Sequence, residues 1–205
     1  MPSYKLQYFN GRGFAEASRQ LFVLSGTPYE DIRIEKEDWP NHKASTPFGQ
    51  MPVLFVDGKP LPQSSAITRY LAKEFGFAGK NNFEAAWVDA LADQFKDYFT
   101  EIRPLFVAHM GMGGDKDELL KSVGEPTRDK HMAIYEKILK DNKTGFLVGN
   151  SLTWIDLVIA EHIVAVTDML PGFLDAFPEV LKHSKKIRET PKLQEWIEKR
   201  PKTPF

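Results

Sequence analysis

The chain has 205 residues, with 27 Lys and Arg against 28 Asp and Glu and 42% hydrophobic residues. This is the composition of one or two compact domains rather than of a disordered, coiled-coil or collagen-like chain. A net charge of −1, with neither part strongly basic when the chain is divided at residue 78, gives no electrostatic footprint for a phosphate backbone, so no nucleic acid is expected as a partner. The absence of cysteine excludes a disulfide framework, thiolate metal ligands, a Cys nucleophile and a Cys-x-x-Cys redox pair together. Residues 1–9 hold no basic stretch followed by an apolar run, and the most apolar segment, 154–170, is broken by Asp156, Glu161, His162 and Asp168. Neither a signal peptide nor a membrane span is expected, which makes the cytoplasm the expected compartment.

Residues 4–9 alternate, with Tyr4, Leu6 and Tyr8 on one parity, and Asn10-Gly11 ends the run, so a strand and turn are expected. Over 14–25, Ala17, Leu21 and Leu24 recur at helical spacing and Gly26 caps the end; Ile32 and Ile34 mark a second strand over 29–34. Pro40 and Pro47 interrupt the polar stretch 35–48, which reads as a loop with one helical turn at 39–43. A strand over 51–56 and the hairpin signal Asp57-Gly58 lead to a short strand over 59–61. A helix led by Ser64 follows, with Ile67, Tyr70 and Leu71 on one stripe and Gly76 closing it. The predicted N-terminal domain, 1–78, is therefore β-α-β-β-β-α.

After a linker at 79–82, no alternating segment of strand length recurs, and 83–205 is expected to form an all-helical domain. Val88, Leu91, Ala92, Phe95, Phe99 and Ile102 predict a helix over 83–110 with a kink at Pro104. A second long helix over 115–142 should bend at Pro126, and short helices fill 178–189 and 191–199. Thr153-Trp154-Ile155-Asp156 is a capping-box variant that opens a buried helix. The sequon Asn142-Lys143-Thr144 reads as a polar turn at a helix end.

Several chemistries find no support. In Gly11-Arg12-Gly13 the third glycine of a dinucleotide fingerprint is replaced by Glu16; no P-loop, Gly-x-Ser-x-Gly elbow or zinc-type His pair occurs, and no metal is expected. What remains is a set within the first domain: Tyr8 at a strand end, Trp39 and Lys43 in the loop, Gln50-Met51-Pro52, and Gln63-Ser64 at a helix N-terminus. Together they supply a strand edge, an anion-binding helix terminus and a cation, which suits a peptide ligand bearing a carboxylate.

Tyr8-Phe9-Asn10-Gly11-Arg12-Gly13, Pro47-Phe48-Gly49-Gln50-Met51-Pro52-Val53-Leu54, Gln63-Ser64-x-Ala66-Ile67-x-Arg69-Tyr70-Leu71 and the Thr153–Asp156 box resemble cytosolic glutathione transferases in order and spacing. The variants resemble the sigma-like class, including its nematode nu branch. The resemblance implies a thioredoxin-like N-terminal domain, an all-α C-terminal domain and a homodimer, with glutathione as co-substrate and no permanent cofactor. It implies that Tyr8 donates a hydrogen bond to the glutathione sulfur and that Trp39 and Lys43 hold the glycyl end. Met51 before a cis Pro52 would pair with the cysteinyl backbone, Gly49 and Gln50 would shape that loop, and Gln63 and Ser64 would take the γ-glutamyl carboxylate. Asp97 of the partner subunit would face the γ-glutamyl ammonium.

Two departures from the sigma-like pattern stand out: Phe14 where many members carry an arginine near the sulfur, and Lys96 beside Asp97 where some prostaglandin-isomerising members carry an acid. The acceptor site for hydrophobic electrophiles is expected from Phe14, Pro104, Leu105 and Met110. Ligandin-type binding of haem or other apolar ligands and glutathione-dependent prostaglandin isomerisation are the alternative activities that the resemblance implies.

Overall fold

The computed structural model describes residues 2–203. In the first unit β1 (Tyr4–Phe9), α1 (Glu16–Ser25), β2 (Glu30–Ile34), α2 (Trp39–Lys43), β3 (Val53–Val56), β4 (Lys59–Pro62) and α3 (Ser64–Phe75) follow one another. They build one mixed sheet of order β2-β1-β3-β4, with β2 parallel and β3 antiparallel to β1. This is the thioredoxin-like arrangement expected for 1–78. β1 is central, so Leu6 and Gln7 are both buried, opposite Leu54 and Val53 of β3. Asp57 and Gly58 both have positive φ, 49° and 78°, as a two-residue turn matched to strand twist requires. α1 is entered through a 3-10 turn, Gly13–Ala15, and packs on α3, where the Ser18 and Thr68 hydroxyls meet at 3.1 Å.

The second unit, Gly79–Ile187, is helical. α4 (Asn82–His109) starts at Asn81, whose side chain accepts the Glu84 N–H, and continues as one helix through Pro104. The expected single helix over 115–142 is instead α5 (Lys116–Leu119), a π-helical turn over Leu120–Gly124 and α6 (Glu125–Asn142). The disruption lies just ahead of Pro126, which lacks an N–H and crowds the preceding turn. Gly124 lets that turn approach α4, since a Cβ there would lie 2.6 Å from Leu105 Cδ2. The side chain of Asn142 donates to the carbonyls of Phe146 and Gly149, each at 2.8 Å, and so ties the following loop.

α7 (Trp154–Met169) carries the capping box, and its Asp156 does more than close it. This fully buried carboxylate accepts the N–H and hydroxyl of Thr153 and the N–H of Leu147, each at 2.8 Å, and lies 2.9 Å from His183 Nε2 in α8 (Pro178–Arg188). Among the described residues no helix is long and apolar enough to cross a membrane.

By its contacts the last helix, α9 (Pro191–Lys199), groups with the first unit: the chain from Arg188 onward clusters there rather than with the helices at 83–187. Leu193 is buried, Lys192 Nζ donates to the Leu24 carbonyl at 2.9 Å, and α9 packs on α1. The physical reason is Glu16, a buried carboxylate of α1 that takes the Trp196 indole N–H at 2.7 Å and Arg200 Nη1 at 2.6 Å. A buried charge needs such partners, and the C-terminal segment brings them.

Candidate active site

Tyr8, next to last in β1, is 7% exposed and meets Phe9 in a T-shaped contact, ring centroids 5.7 Å apart; Phe9 in turn meets Trp39 at 5.6 Å. The chain turns back over the Tyr8 hydroxyl, and the Phe14 N–H donates to it at 3.3 Å. That approach depends on Gly13: its φ is +38°, and a Cβ there would lie 2.5 Å from Tyr8 Oη. Burial pushes the Tyr8 phenol above its usual range, while the Phe14 N–H and the Arg19 guanidinium, 6.0 Å from the ring centre, pull it partway back. The phenol is therefore protonated at neutral pH. With one lone pair engaged by Phe14, its proton is left for an acceptor elsewhere.

Beside it is a cleft of about 410 Å3, within the usual range for a small-molecule site. Phe14 and Phe48, Trp39 and Phe9 form its apolar part; Gly49, Gln50, Met51, Pro52, Gln63 and Ser64 line it together with Pro62. Thus one cavity collects most of the residues expected to bind a peptide. Tyr8 is not part of the lining and adjoins it through Phe14. Lys43 is exposed at the rim, its Cε 3.6 Å from where a Cβ of Gly49 would stand, and its ammonium makes no ion pair among the described residues.

The Met51-Pro52 bond is cis. Pairing of β3 with β1 ends at Val53, so Met51 lies beyond the sheet ladder. Also in the lining, the helix expected to be capped by Ser64 is preceded by Gln63, with φ +75° and no side-chain cap hydrogen bond. The first N–H groups of α3 thus point out of the helix without a cap from this residue, a setting that favours an anion.

The remaining expected residues belong to the helical unit. Asp97 and Lys96 are exposed on α4. Of the expected acceptor residues, Phe14 lines the cleft and is 45% exposed, and Pro104 and Met110 are exposed on their own unit. Leu105 departs from the expectation: it is 1% exposed and packs toward Gly124, so it is core. Among the described residues no three His, Cys, Asp or Glu side chains form a metal-binding group. Phe9, Phe48, Pro62 and Gly13 enter the site without having been singled out for it. For Gly13 the signal was available, since a glycine pair directly after a strand marks a close backbone approach.

A mixed four-stranded sheet carrying a protonated phenol near the end of β1, beside a cleft lined by a cis-proline loop and a helix terminus without a side-chain cap, defines a thioredoxin-like enzyme domain joined to a helical unit. Family models described as the glutathione S-transferase N-terminal and C-terminal domains match residues 4–73 and 96–200. Glutathione S-transferase 1 of Ascaris suum is 46% identical over the full length of both chains. The solved nu-class glutathione S-transferase of Haemonchus contortus is 57% identical, with TM-score 0.92 and full coverage of both chains. A structure described as monomeric Na-GST-3 of Necator americanus is 50% identical, with TM-score 0.95, covering 99% of this chain and 100% of that one. The chain belongs to the glutathione S-transferase family and is a transferase that uses glutathione as co-substrate.

Proposed function

We propose that the enzyme adds the glutathione thiolate to hydrophobic electrophiles and that Tyr8 is the catalytic residue. The observation that carries this reading is the Tyr8 hydroxyl, held protonated by burial and with one lone pair already taken by the Phe14 N–H. A free thiol has a pKa of about 8.5, and only its thiolate is a competent nucleophile. A phenol proton aimed at the sulfur favours the ionised form, each unit of lowered pKa amounting to about 1.4 kcal/mol.

In this reading Met51 exchanges backbone hydrogen bonds with the cysteinyl residue, cis Pro52, Gly49 and Gln50 shape its loop, and Trp39 and Lys43 hold the glycyl end. Gln63, Ser64 and the open N-terminus of α3 take the γ-glutamyl carboxylate. Phe14, Pro104 and Met110 contribute apolar surface for the electrophile. The assembly is a cytoplasmic homodimer of the sigma-like, nu-type group in which Asp97 of the partner faces the γ-glutamyl ammonium, and no metal takes part. Similarity to a nu-class structure supports the subclass.

The test is conjugation of glutathione to chlorodinitrobenzene by wild type and by Tyr8→Phe, with glutathione affinity measured on both. Removing the hydroxyl should lower kcat/KM at least about tenfold, or about 1.4 kcal/mol in the barrier, with affinity retained. An unchanged rate removes Tyr8 from the mechanism. Tight glutathione binding without conjugation by either protein would turn the reading towards a ligandin for haem and similar molecules, or towards a prostaglandin isomerase.

A further inference from the structure

Beneath the loop that covers the Tyr8 hydroxyl lies a chain of alternating charges. Arg33 Nε is 2.9 Å from Asp31, Asp31 is 3.0 Å from Arg19 Nε, and Arg19 Nη1 is 3.4 Å from Glu16 Oε2. Glu16 Oε1 then takes Arg200 Nη1 at 2.6 Å and the Trp196 indole at 2.7 Å. Arg19 and Glu16 are almost wholly inaccessible, and Arg200 is 8% exposed. Tyr29 also faces Arg19 and Glu16, its phenol pushed above its usual range mainly by burial, and Tyr8 faces Arg19 at 6.0 Å. Such buried ion chains contribute little net stability compared with apolar packing, so their geometry invites a different explanation.

The geometry supplies one. Arg19 Nη1 also donates to the Gly11 carbonyl at 2.6 Å and lies 3.5 Å from the Arg12 carbonyl. These residues immediately precede Gly13 and Phe14, whose backbone closes over the Tyr8 hydroxyl. We propose that Glu16, Arg19, Trp196 and Arg200 act as positioning residues for Tyr8, so that the C-terminal segment sets how strongly the site ionises the bound thiol. The proposal rests on the reading of Tyr8 as the sulfur's hydrogen-bond donor.

The coupling works through the placement of one guanidinium. With Trp196 and Arg200 on one oxygen of Glu16, its other oxygen stands back from Arg19 at 3.4 Å, and Arg19 Nη1, which carries two N–H groups, serves that oxygen and, more closely, the Gly11 carbonyl. Without Arg200 the carboxylate must draw on Arg19, because a buried charge left short of partners is costly. As the guanidinium shifts towards Glu16, to which its partnerless Nη2 can also turn, the Gly11 contact lengthens, the loop relaxes, and the Phe14 N–H leaves the position that orients the phenol.

The experiment measures the pH profile of kcat/KM and the ultraviolet absorbance of the bound thiolate for the full chain. Wild type, Arg200→Met, Arg200→Lys and Trp196→Phe are compared, with the first substitution repeated in the Tyr8→Phe background. Arg200→Met should raise the thiolate pKa by about half a unit to one unit, and so lower kcat/KM below that pKa about threefold to tenfold, while KM for glutathione changes less than about twofold. Arg200→Lys should restore most of the shift, and Trp196→Phe, which keeps the ring and loses only its N–H, should give a smaller shift in the same direction. If Arg200→Met does not fold, Trp196→Phe decides in its place.

In the Tyr8→Phe background the Arg200 substitution should add nothing, because its effect passes through the missing hydroxyl. An unshifted profile in both C-terminal variants, or an equal shift with and without the Tyr8 hydroxyl, overturns the proposal while leaving Tyr8 as the donor. A Tyr8→Phe enzyme with a wild-type profile overturns the underlying reading, and the proposal falls with it.

Discussion

Replacing Gly13 by alanine tests the active-site geometry at its tightest point. The new Cβ would stand 2.5 Å from Tyr8 Oη and 3.0 Å and 3.1 Å from two ring carbons, where ordinary contact begins at 3.4 Å. The phenol must therefore retreat by about 1 Å, and a displacement of that size at a reacting group costs on the order of 100-fold. The ring has little room to absorb it, being buried against Phe9 on β1. The left-handed backbone at Gly13 adds about 1–2 kcal/mol of strain to any residue with a side chain. Gly26→Ala separates the two costs: its φ is +72°, but nothing lies within 4 Å of its Cβ. Both variants should lose about 1–2 kcal/mol of stability in urea titrations, whereas only Gly13→Ala should lose at least about tenfold in kcat/KM for conjugation. Equal activity in the two variants would refute the claim that the loop's approach to Tyr8 matters for turnover.

Lys43→Met should raise KM for glutathione about threefold to fivefold with kcat within about twofold, and should weaken the dependence of KM on ionic strength, since an exposed ion contact contributes only about 0.2–1 kcal/mol. A kcat effect larger than the KM effect would contradict a role limited to binding. Asp156→Ala strands Thr153, Leu147 and His183 at once and should cost about 3–5 kcal/mol, seen as a thermal midpoint roughly 10 °C lower. A drop below about 2 °C would show that the box is dispensable. His162, enclosed by the rings of Phe95, Tyr98, Phe99 and Phe106, has its pKa pushed down to about 3 by burial. Its folded value lies below the unfolded one, so the unfolded chain binds the extra proton, and stability falls as pH drops from about 6.5 towards 3. His162→Gln should flatten the decline in melting temperature between pH 6 and pH 4, and an unaltered slope would assign that decline to other groups.

The elements that could be read from the chain are those whose cause is local. The alternation of Tyr4, Leu6 and Tyr8, the Asp57-Gly58 turn and the glycine caps at 26 and 76 each arise from a few consecutive residues, and the strands and helices they mark are present. The residues that line the cleft were legible for a related reason. Pro52, Gly49 and the start of α3 are backbone devices, and the backbone they create is what lines the cleft. Where the cause is distant, reading stops. Nothing around Gln63 announces a φ of +75°, since the residue has no local preference for that region. The widened turn at 120–124 depends on how closely α4 approaches Gly124, a contact across the second unit.

Arg19 and Glu16 show the same limit in the part of the molecule closest to the chemistry. Within 14–25 the apolar stripe of Ala17, Leu21 and Leu24 implies a solvated opposite face, and on that assumption two charged residues among polar neighbours carry no signal. The assumption fails because the C-terminal segment covers that face, with Trp196 of α9 and Arg200 just after it supplying the indole and guanidinium that a buried carboxylate requires. The same contact groups α9 with the thioredoxin-like unit. One long-range ion pair thus accounts for the burial of that face and for the place of α9, and it leads through Arg19 to the carbonyls of the loop over Tyr8. The position of the phenol is consequently a property of the whole first unit, its C-terminal segment included, and not of the Tyr8–Phe14 stretch alone.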